Sequence, residues 1–462
     1  MLKYIRALSG LTIEQDGADH AGGVLVNGYA HNLEIGNNRI LNNSGVYGGG
    51  IRLGHPTLTV ELGQGVEYQN AHNDNVRIHH NHITQNSGLN GTGGGVGLCT
   101  GSDNYEISDN FVCGNFSLGG GGGIGHYGLS PNGLIYGNKI LFNESFNQGR
   151  TVNGGGILIA GAPPLGGPGS LSPGAGSVTV KDNRIQGNAA SAGDGGGICT
   201  SRINGQDVAD SSNNPTQWYE VNLFNNMITN NLAALAGGGV AMFDTARMYI
   251  IHNTIAHNDS TATASEAFGP GNPNESVPQP AGIVSRAHSP ELARAFGFDL
   301  VYRQTFSDPV LIDDIIWQNR SFYFSGDPSV PTYELLPSPG TYQDVGVLGT
   351  TGALMPRFSI LSGGANPDFI QAYFNEAPGV TVPLPEPTTG LQPTIAFDEG
   401  GNFIRVRFGP LTLVGDYHIG IDSSAHNSGK NVVHIYPELA TDYDGDPRPS
   451  GPNVDIGADE IP

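Results

Sequence analysis

The stretch Asn183-Arg184-Ile185-Gln186-Gly187-Asn188, followed seven residues later by Gly195-Gly196-Gly197-Ile198, decides the fold of this 462-residue chain. Its first half reads Asn-x-Ile-x-x-Asn, and near-copies of that phrase start elsewhere, at Asn38, Asn81, Asn110, Asn138, Asn226 and Asn253. A drifted copy with an acidic first residue starts at Asp314. Successive starts lie 43, 29, 28, 45, 43, 27 and 61 residues apart, which indicates a basic unit of roughly 28 residues with insertions. Such a period places the chain among the repeat folds.

Each unit carries short runs in which apolar and polar residues alternate, as in Val178-Thr179-Val180. This period of two is typical of half-buried strands, so each unit predicts about three short strands joined by turns. Stacked units give an all-β, right-handed parallel β-helix, a solenoid in which the repeated isoleucines lie on one another in the interior. The repeated asparagines are then expected to turn inward at a bend and bond along the stack, and the glycine triplets mark bends without room for a side chain.

The repeat divides the chain into two predicted regions. Residues 1–320 are predicted to form the β-helix, and residues 321–462 a smaller β-rich region with a closing segment. The second region includes the extended run Phe403-Ile404-Arg405-Val406-Arg407-Phe408, which has strand character. Because Leu11-Thr12-Ile13 already reads as part of a coil, we expect more protein, or a cap, upstream of Met1 in the native chain.

Helix signals are few in this glycine-rich chain. The best lies at residues 289–296, where Ser289 is placed to cap and Pro290 to occupy the first helical position. No apolar run approaches the roughly 18–20 residues of a membrane span. The formal net charge of −22 argues against a nucleic-acid partner or an anionic membrane surface.

The chain has three cysteines, Cys99, Cys113 and Cys199, which cannot all pair with each other. Two interpretations are open. Cys99 and Cys113 could form a disulfide, or all three could be small buried residues stacked between coils, which the repeat favours. The spacing indicates no zinc site.

Two parts of the sequence resemble known proteins. The Asn-x-Ile-x-x-Asn and Gly-Gly-Gly-Ile units resemble the secreted right-handed β-helix repeat proteins of the pectate-lyase-like superfamily. The run from Asp442 to Pro449, followed by Val454-Asp455-Ile456-Gly457, resembles the segment that closes many bacterial surface β-helix proteins, often ahead of an anchor region. The resemblance implies a bacterial protein that is extracellular or at the cell surface. It implies no single activity, because the fold hosts lyases, hydrolases, epimerases and non-catalytic adhesins.

Asp442, Asp444 and Asp446 form an alternating acidic turn with a glycine between the last two. Alternating carboxylates on a tight turn suit calcium, a hard cation that prefers oxygen ligands. An EF-hand is excluded because Asn453 stands where the twelfth-position glutamate would be. The alternative is a salt-bridged cap in which Arg448 pairs with Asp455 or Asp459, and this the sequence favours.

Two groups of residues are candidates for catalysis. His82, Lys139 and Arg184 share one repeat position and could form a stripe that binds a uronate carboxylate and removes the neighbouring proton. The favoured alternative is an ordinary solvent-exposed face without catalytic function, because the residue type at this position varies freely among the other copies. His126 and Tyr127 form a His/Tyr pair of the kind that some polysaccharide lyases use as base and acid. The stacked positions beside His126 carry Leu53, Leu98, Ile159 and Met242, which favours a core histidine instead.

The sequence thus predicts an extracellular or cell-surface β-helix module, part of a larger protein, with a structural, adhesive or glycan-binding role. Its expected partners are polysaccharides or other surface proteins, with calcium as a candidate cofactor. The alternative function is a polysaccharide lyase, or another glycan-degrading enzyme, acting on acidic polysaccharide. A third hypothesis is a fibre or sheath subunit that self-assembles through the ends of the β-helix.

Overall fold

The fold is an all-β parallel solenoid, seen in a computed structural model that describes residues 7–18, 20–63, 65–272, 274–297, 305–326, 333–373 and 415–462. Each complete coil contributes one short strand to each of four sheets, one more strand than the sequence predicted. We name the sheets A to D in the order in which the chain passes through them in each coil, so that the glycine-rich bend lies between sheets C and D. Each sheet A strand ends just before the Asn-x-Ile-x-x-Asn phrase, as Val178–Lys181 does, and the sheet B strand, here Arg184–Gln186, lies inside the phrase.

The strands of each sheet follow from this order. Sheet A contains Ala7–Ser9, Glu34–Gly36, Arg77–His79, Glu106–Ser108, Gly133–Tyr136, Val178–Lys181, Val221–Phe224, Met248–Ile251 and Val310–Ile312. Sheet B contains Thr12–Glu14, Arg39–Leu41, His82–Thr84, Phe111–Cys113, Lys139–Leu141, Arg184–Gln186, Met227–Thr229, Thr254–Ala256, Ile315–Trp317 and Ile360–Leu361. Sheet C contains Gly17–Ala18, Ser44–Gly45, Ser87–Gly88, Phe116–Ser117, Glu144–Ser145, Ala189–Ala190, Leu232–Ala233, Asp259–Ser260, Arg320–Gly326 and Tyr333–Tyr342. Sheet D contains Val24–Val26, Ile51–Leu53, Val96–Cys99, Ile124–Tyr127, Ile157–Ala160, Ile198–Ser201, Val240–Phe243, Ile283–Arg286 and Val345–Leu348.

The repeated isoleucine, replaced by Val112 in one coil, lies at the centre of the three-residue sheet B strands and faces the interior. Ile185 pairs in register with Ile140 on one side and Ile228 on the other, and all three are fully buried. This confirms the predicted stacking. The core is therefore a column of branched apolar side chains, with each coil burying the face of the next.

Both asparagines of the phrase form continuous ladders inside the stack. Asn143 shows the pattern: its Nδ2 donates to Oδ1 of Asn188 at 2.9 Å and to the carbonyl of Val112 at 3.0 Å, while its Oδ1 accepts from Asn115. The first ladder runs through Asn38, Asn81, Asn110, Asn138, Asn183, Asn226, Asn253 and Asp314. The second runs through Asn43, Asn86, Asn115, Asn143, Asn188, Asn231, Asn258, Asn319 and Asp344. The ladders satisfy amides and bend carbonyls that are out of reach of water.

The glycine triplet makes the bend that leads into sheet D. A Cβ on Gly196 would lie 2.2 Å from the carbonyl oxygen of Leu232, and Gly195 has a φ of +72°. Coils therefore stack closely here only because there is no side chain.

Parallel pairing continues beyond residue 320, the predicted boundary. Val345–Leu348 pairs with Ile283–Arg286 in sheet D, and Ile360–Leu361 pairs with Ile315–Trp317 in sheet B. The sheet C strand Arg320–Gly326 instead pairs antiparallel with Tyr333–Tyr342. The described stack thus extends about 40 residues past the point where the asparagine phrase fades. The run at residues 403–408 lies outside the described residues.

Helices and hairpins lie between the sheet strands. Thr59–Leu62 and Gly65–Tyr68 form an antiparallel hairpin. Within the described ranges the α-helices are Gln206–Asp210 and Pro290–Ala295, and the 3₁₀-helices are Pro215–Gln217, Ser265–Ala267 and Pro437–Leu439. The second α-helix confirms its prediction, because the Ser289 side chain accepts from the backbone N–H of Leu292. Within the described residues no helix is long and apolar enough to cross a membrane.

The three cysteines are free thiols: Cys99 and Cys199 are buried, and Cys113 is half-buried. Cys99 lies on sheet D and Cys113 on sheet B, so the two are not paired. The interpretation as small residues between coils therefore holds over the disulfide.

The closing segment, residues 415–462, packs against the outer faces of sheets A and B over the later coils. Its strand Asp416–Ile419 pairs antiparallel with Phe369–Gln371. Tyr417 and Ile419 pack with Met227 and Trp317 of sheet B, and Val432 packs on sheet A. This segment leaves the sheet B strands of the earlier coils outside its described contacts.

Candidate functional site

His126 is a core histidine. It is fully buried on sheet D, where it pairs in register with Leu98 and Ile159 as the sequence predicted. Its Nδ1 lies 2.9 Å from the Tyr105 hydroxyl, and its Nε2 donates to the carbonyl of Gly128 at 2.7 Å. Burial lowers the pKa of His126 to about 4, with the backbone hydrogen bonds opposing this shift. Both ring nitrogens are therefore engaged in holding neighbouring coils together.

Tyr127 follows His126 on the same strand but faces the other side of the sheet, as alternation requires. It is half-buried and packs beside Leu158 and Cys199. The structure thus does not bring His126 and Tyr127 together as an acid–base pair.

The other catalytic candidates lie in one row on the outer face of sheet B. Arg39, His82, Phe111, Lys139 and Arg184 pair in this order at the same register position. Neighbouring strands lie about 4.8 Å apart, so the row crosses five coils over roughly 19 Å. The predicted stacking of His82, Lys139 and Arg184 at one position is confirmed, but Phe111 separates His82 from Lys139.

Most of this row is open to solvent. Arg39, His82 and Lys139 are exposed, and the half-buried Phe111 ring lies against the His82 imidazole with 5.6 Å between centroids. A shallow groove of about 370 Å³ lies beside it, lined by Arg39, Leu41, His82 and Thr84. We call the exposed run from Arg39 to Lys139 the sheet B stripe.

Arg184 lies at the end of the row but differs in its surroundings. It is half-buried, its Nε donates to Oε1 of Gln186 at 2.7 Å, and its guanidinium donates to the carbonyl of Gly415 at 3.2 Å. The closing segment thus meets the row at this residue and marks the end of the stripe.

A second groove lies on the adjacent outer face of sheet A. It has a volume of about 410 Å³ and is lined by Asn32, Leu33, Glu34, Asn75, Arg77, Asn104 and Glu106. Arg77 pairs with Glu106 of the next coil at 3.3 Å, and His79 bonds to Glu34 of the preceding coil at 2.7 Å. Sequence reasoning missed these pairs, although Glu34, Arg77 and Glu106 each stand four residues before a ladder asparagine. That shared offset is the signal that could have found them.

The three carboxylates predicted to bind calcium have separate roles in the turn. Asp442 is buried: its Oδ1 accepts from the backbone N–H groups of Asp444 and Asp446, and its Oδ2 accepts from that of Glu460. Asp444 instead bonds through its side chain to His418 at 2.6 Å. Both Asp442 oxygens thus organise the turn.

The ion pair of Arg448 joins Glu460, with 3.2 Å between Nε and Oε2, where the sequence suggested Asp455 or Asp459. Arg448 is buried and also donates to Oδ1 of Asn225 at 2.7 Å, which ties the closing segment to the stack. The cap hypothesis therefore had the right arginine and the wrong acid.

Comparison with known proteins adds no further assignment. No protein-family model matches the chain, no curated protein matches it, and no solved structure matches it. What the fold can do must be argued from its own surface.

Proposed function

We propose that this chain is an extracellular glycan-binding module that holds an acidic polysaccharide along the sheet B stripe. The observation that carries this proposal is the row formed by the exposed Arg39, His82 and Lys139 and the half-buried Phe111, beside a shallow groove. An extended polymer lying across the coils would meet one side chain per coil.

The chemistry of the row suits a carboxylate-bearing sugar chain. Arg39 donates from a planar fork that fits a carboxylate, and Lys139 supplies a compact positive charge. The Phe111 ring between them offers an apolar face against which a sugar ring can stack. Among the described residues, neither Arg39 nor Lys139 forms an ion pair, so both charges are available to a ligand.

The position of this positive charge is informative because the whole chain carries a formal net charge of −22. A polyanion is repelled by most of such a surface, so attraction is concentrated where cations cluster. Exposed contacts of this type are individually weak and screened by salt. Affinity would therefore come from several coils engaged at once.

The test is a binding titration with a uronic-acid oligosaccharide and with a neutral oligosaccharide of equal length. We expect binding of the acidic ligand only, weakening as salt is raised. The double variant Arg39→Gln/Lys139→Gln should bind about tenfold more weakly, at about 0.7 kcal/mol for each exposed charge. Arg294→Gln, which removes one positive charge from an exposed helix away from sheet B, is the control for each single variant, Arg39→Gln and Lys139→Gln.

Equal affinity for the neutral ligand, or equal losses in the double variant and the control, would refute binding at the stripe. The same mixtures should be followed by ultraviolet absorbance. Unsaturated products that disappear in His82→Ala would show the lyase reaction instead.

A further inference from the structure

A compact group of titratable side chains lies away from the stripe, within the closing segment. His418 comes from the strand Asp416–Ile419, Asp444 from the acidic turn, and Asp459 from the end of the chain. One ligand atom from each lies within 4.8 Å of the other two. The Asp416 carboxylate lies 2.5 Å from Nδ1 of His418, on the other edge of the ring.

The surrounding backbone fixes the separation of these groups. Asp459 accepts from the backbone N–H of Ile419 at 2.8 Å, which holds it beside the His418 strand. Asp442 accepts from the N–H of Asp444 at 2.9 Å and from that of Glu460 at 2.8 Å, so one carboxylate joins the turn to the chain end. Nε2 of His418 and Oδ2 of Asp444 lie 2.6 Å apart, so a bound ion would replace the hydrogen bond between them, and one Asp459 oxygen is already bonded to Ile419.

We propose that Nε2 of His418 and the carboxylates of Asp444 and Asp459 form a binding site for a divalent transition-metal ion of the zinc class. Zinc is held by imidazole nitrogen and carboxylate oxygen in tetrahedral sites, whereas calcium takes oxygen ligands. Asp416 accepts from the Nδ1–H and orients the ring, which is the usual arrangement behind a metal-bound histidine. The Asp444 side chain is 46% exposed, so the ion has an entry path and water can supply the fourth ligand.

Charge supports a divalent ion in this position. With the imidazole protonated, the three carboxylates and His418 sum to −2, whereas a neutral imidazole with a divalent ion gives −1. Arg184 is a nearby cation, and its charge acts on Asp416 and on Tyr443. Metal binding would release the Nε2 proton of His418 to solvent.

The site would fasten the closing segment to the solenoid. Tyr417, next to His418, places its hydroxyl 2.8 Å from Nδ2 of Asn230 and 2.8 Å from Nδ1 of His257. An ion that joins His418 to Asp444 and Asp459 therefore links the sheet B contact to the chain end. This inference is independent of the glycan proposal, because it involves no residue of the stripe.

The test uses the full chain, stripped of metal with a chelator that is then removed, and titrated calorimetrically with zinc chloride and with calcium chloride. We expect one zinc per chain, with an enthalpy that depends on the buffer because a proton is released, and a raised Tm. Asp444→Asn should weaken zinc binding by more than about tenfold, and Asp416→Asn by about 10–100-fold through loss of ring orientation. Asp446→Asn should leave it unchanged.

Two results would overturn the proposal. No zinc binding in the folded wild-type chain would mean that His418 is held by its carboxylates alone. Calcium binding in preference to zinc, lost in Asp446→Asn, would place an oxygen-only site on the acidic turn instead. Asp444→Asn keeps the test informative if a His418 variant fails to fold, since the Asp444 side chain is largely exposed.

Discussion

Asp314 ends the first asparagine ladder, and replacing it with asparagine should stabilise the protein in a pH-dependent way. Its Oδ1 accepts from the backbone N–H of Asn253 at 2.8 Å and from Nδ2 at 3.1 Å, as an asparagine would. Its Oδ2 is buried, and the described residues provide it with no hydrogen-bond partner. Burial, as the main cause, raises the pKa of Asp314 well above its usual value, and the neighbouring Asp313 adds to the shift.

The sign of the effect follows from linkage. When folding raises the pKa of an acid, the free energy of unfolding is highest below the unfolded pKa, here 3.8. It then decreases as the pH rises from that value toward the folded pKa. While the folded carboxyl stays protonated, each pH unit above 3.8 lowers the free energy of unfolding by about 1.4 kcal/mol. Asp314→Asn removes this dependence. By the ladder register, its new Nδ2 would face the carbonyl of Ile250 and add about 1 kcal/mol at any pH.

The assay is denaturant unfolding of wild type and Asp314→Asn at pH 5 and pH 6, where the difference in free energy of unfolding should grow, by at most about 1.4 kcal/mol. Asp422→Asn, at an exposed position, removes the same charge and should show no such growth. Asp344→Asn is a contrasting variant at the end of the second ladder. The Asp344 Oδ2 accepts from the backbone N–H of Ser362 at 2.6 Å. In Asp344→Asn the NH₂ group would replace this oxygen and face the Ser362 N–H, donor against donor, so the variant should be less stable. A pH-independent difference for Asp314→Asn would show that this carboxylate is ionised in the folded chain and would refute the reasoning.

Three further outcomes are expected. Asn143→Ala leaves two donors of Asn115 without their acceptor and should lower the free energy of unfolding by about 2–5 kcal/mol. The control Asn222→Ala loses one hydrogen bond on an outer face and should lower it by under about 1 kcal/mol. Equal losses of the two variants in denaturant unfolding would contradict the ladder's role. Because the pKa of His126 is lowered to about 4, the folded chain keeps this imidazole neutral, and the free energy of unfolding falls by about 1.4 kcal/mol per pH unit from pH 6.5 toward 4. His126→Gln should remove this contribution to the pH dependence of the free energy of unfolding, measured by denaturant titration. An unchanged pH dependence would contradict the neutral state of His126. The hydrogen bond to Asp444, followed by that to Asp416, raises the pKa of His418 to about 9. In chelator-treated protein the stabilisation from this shift is therefore complete below pH 6.5 and is lost as the pH rises through 9. His418→Gln should make Tm independent of pH over that range, and a decline of its Tm parallel to that of wild type would contradict the assignment.

The repeating part of the fold was predictable because its contacts recur at a fixed sequence offset. Comparing copies placed Leu98, His126 and Ile159 at one position, and the structure pairs them in that register. The same comparison identified a buried role for the asparagines, since only a stacked arrangement satisfies an inward amide in every coil. The fourth strand per coil was missed because the sheet C strands are only two residues long in most coils, too short to show alternation.

The closing segment was not predictable in the same way, because its contacts occur once. His418 meets Asp444, 26 residues later, and Arg184 meets Gly415, 231 residues later. Among the residues that the structure describes, neither contact has a copy that could reveal the offset. The alternation indicated Asp442, Asp444 and Asp446 as candidate calcium ligands beside the favoured cap, and the structure adds a structural role for Asp442, on which backbone N–H groups converge. Local spacing does not show which carboxylate oxygens the backbone has already taken.

The acidic residue in the drifted copy has a physical origin in the polarity of the ladders. Every asparagine donates from its backbone N–H and its Nδ2 to the Oδ1 of the following rung, so hydrogen-bond donation runs one way along the stack. The final rung must still accept these two bonds, but in the described ladders no further asparagine or aspartate follows it to receive an Nδ2–H. Aspartate accepts the same two bonds, as Asp314 and Asp344 both do. Asp344 also uses its second oxygen and Asp314 does not, which is why the two variants are expected to differ in sign.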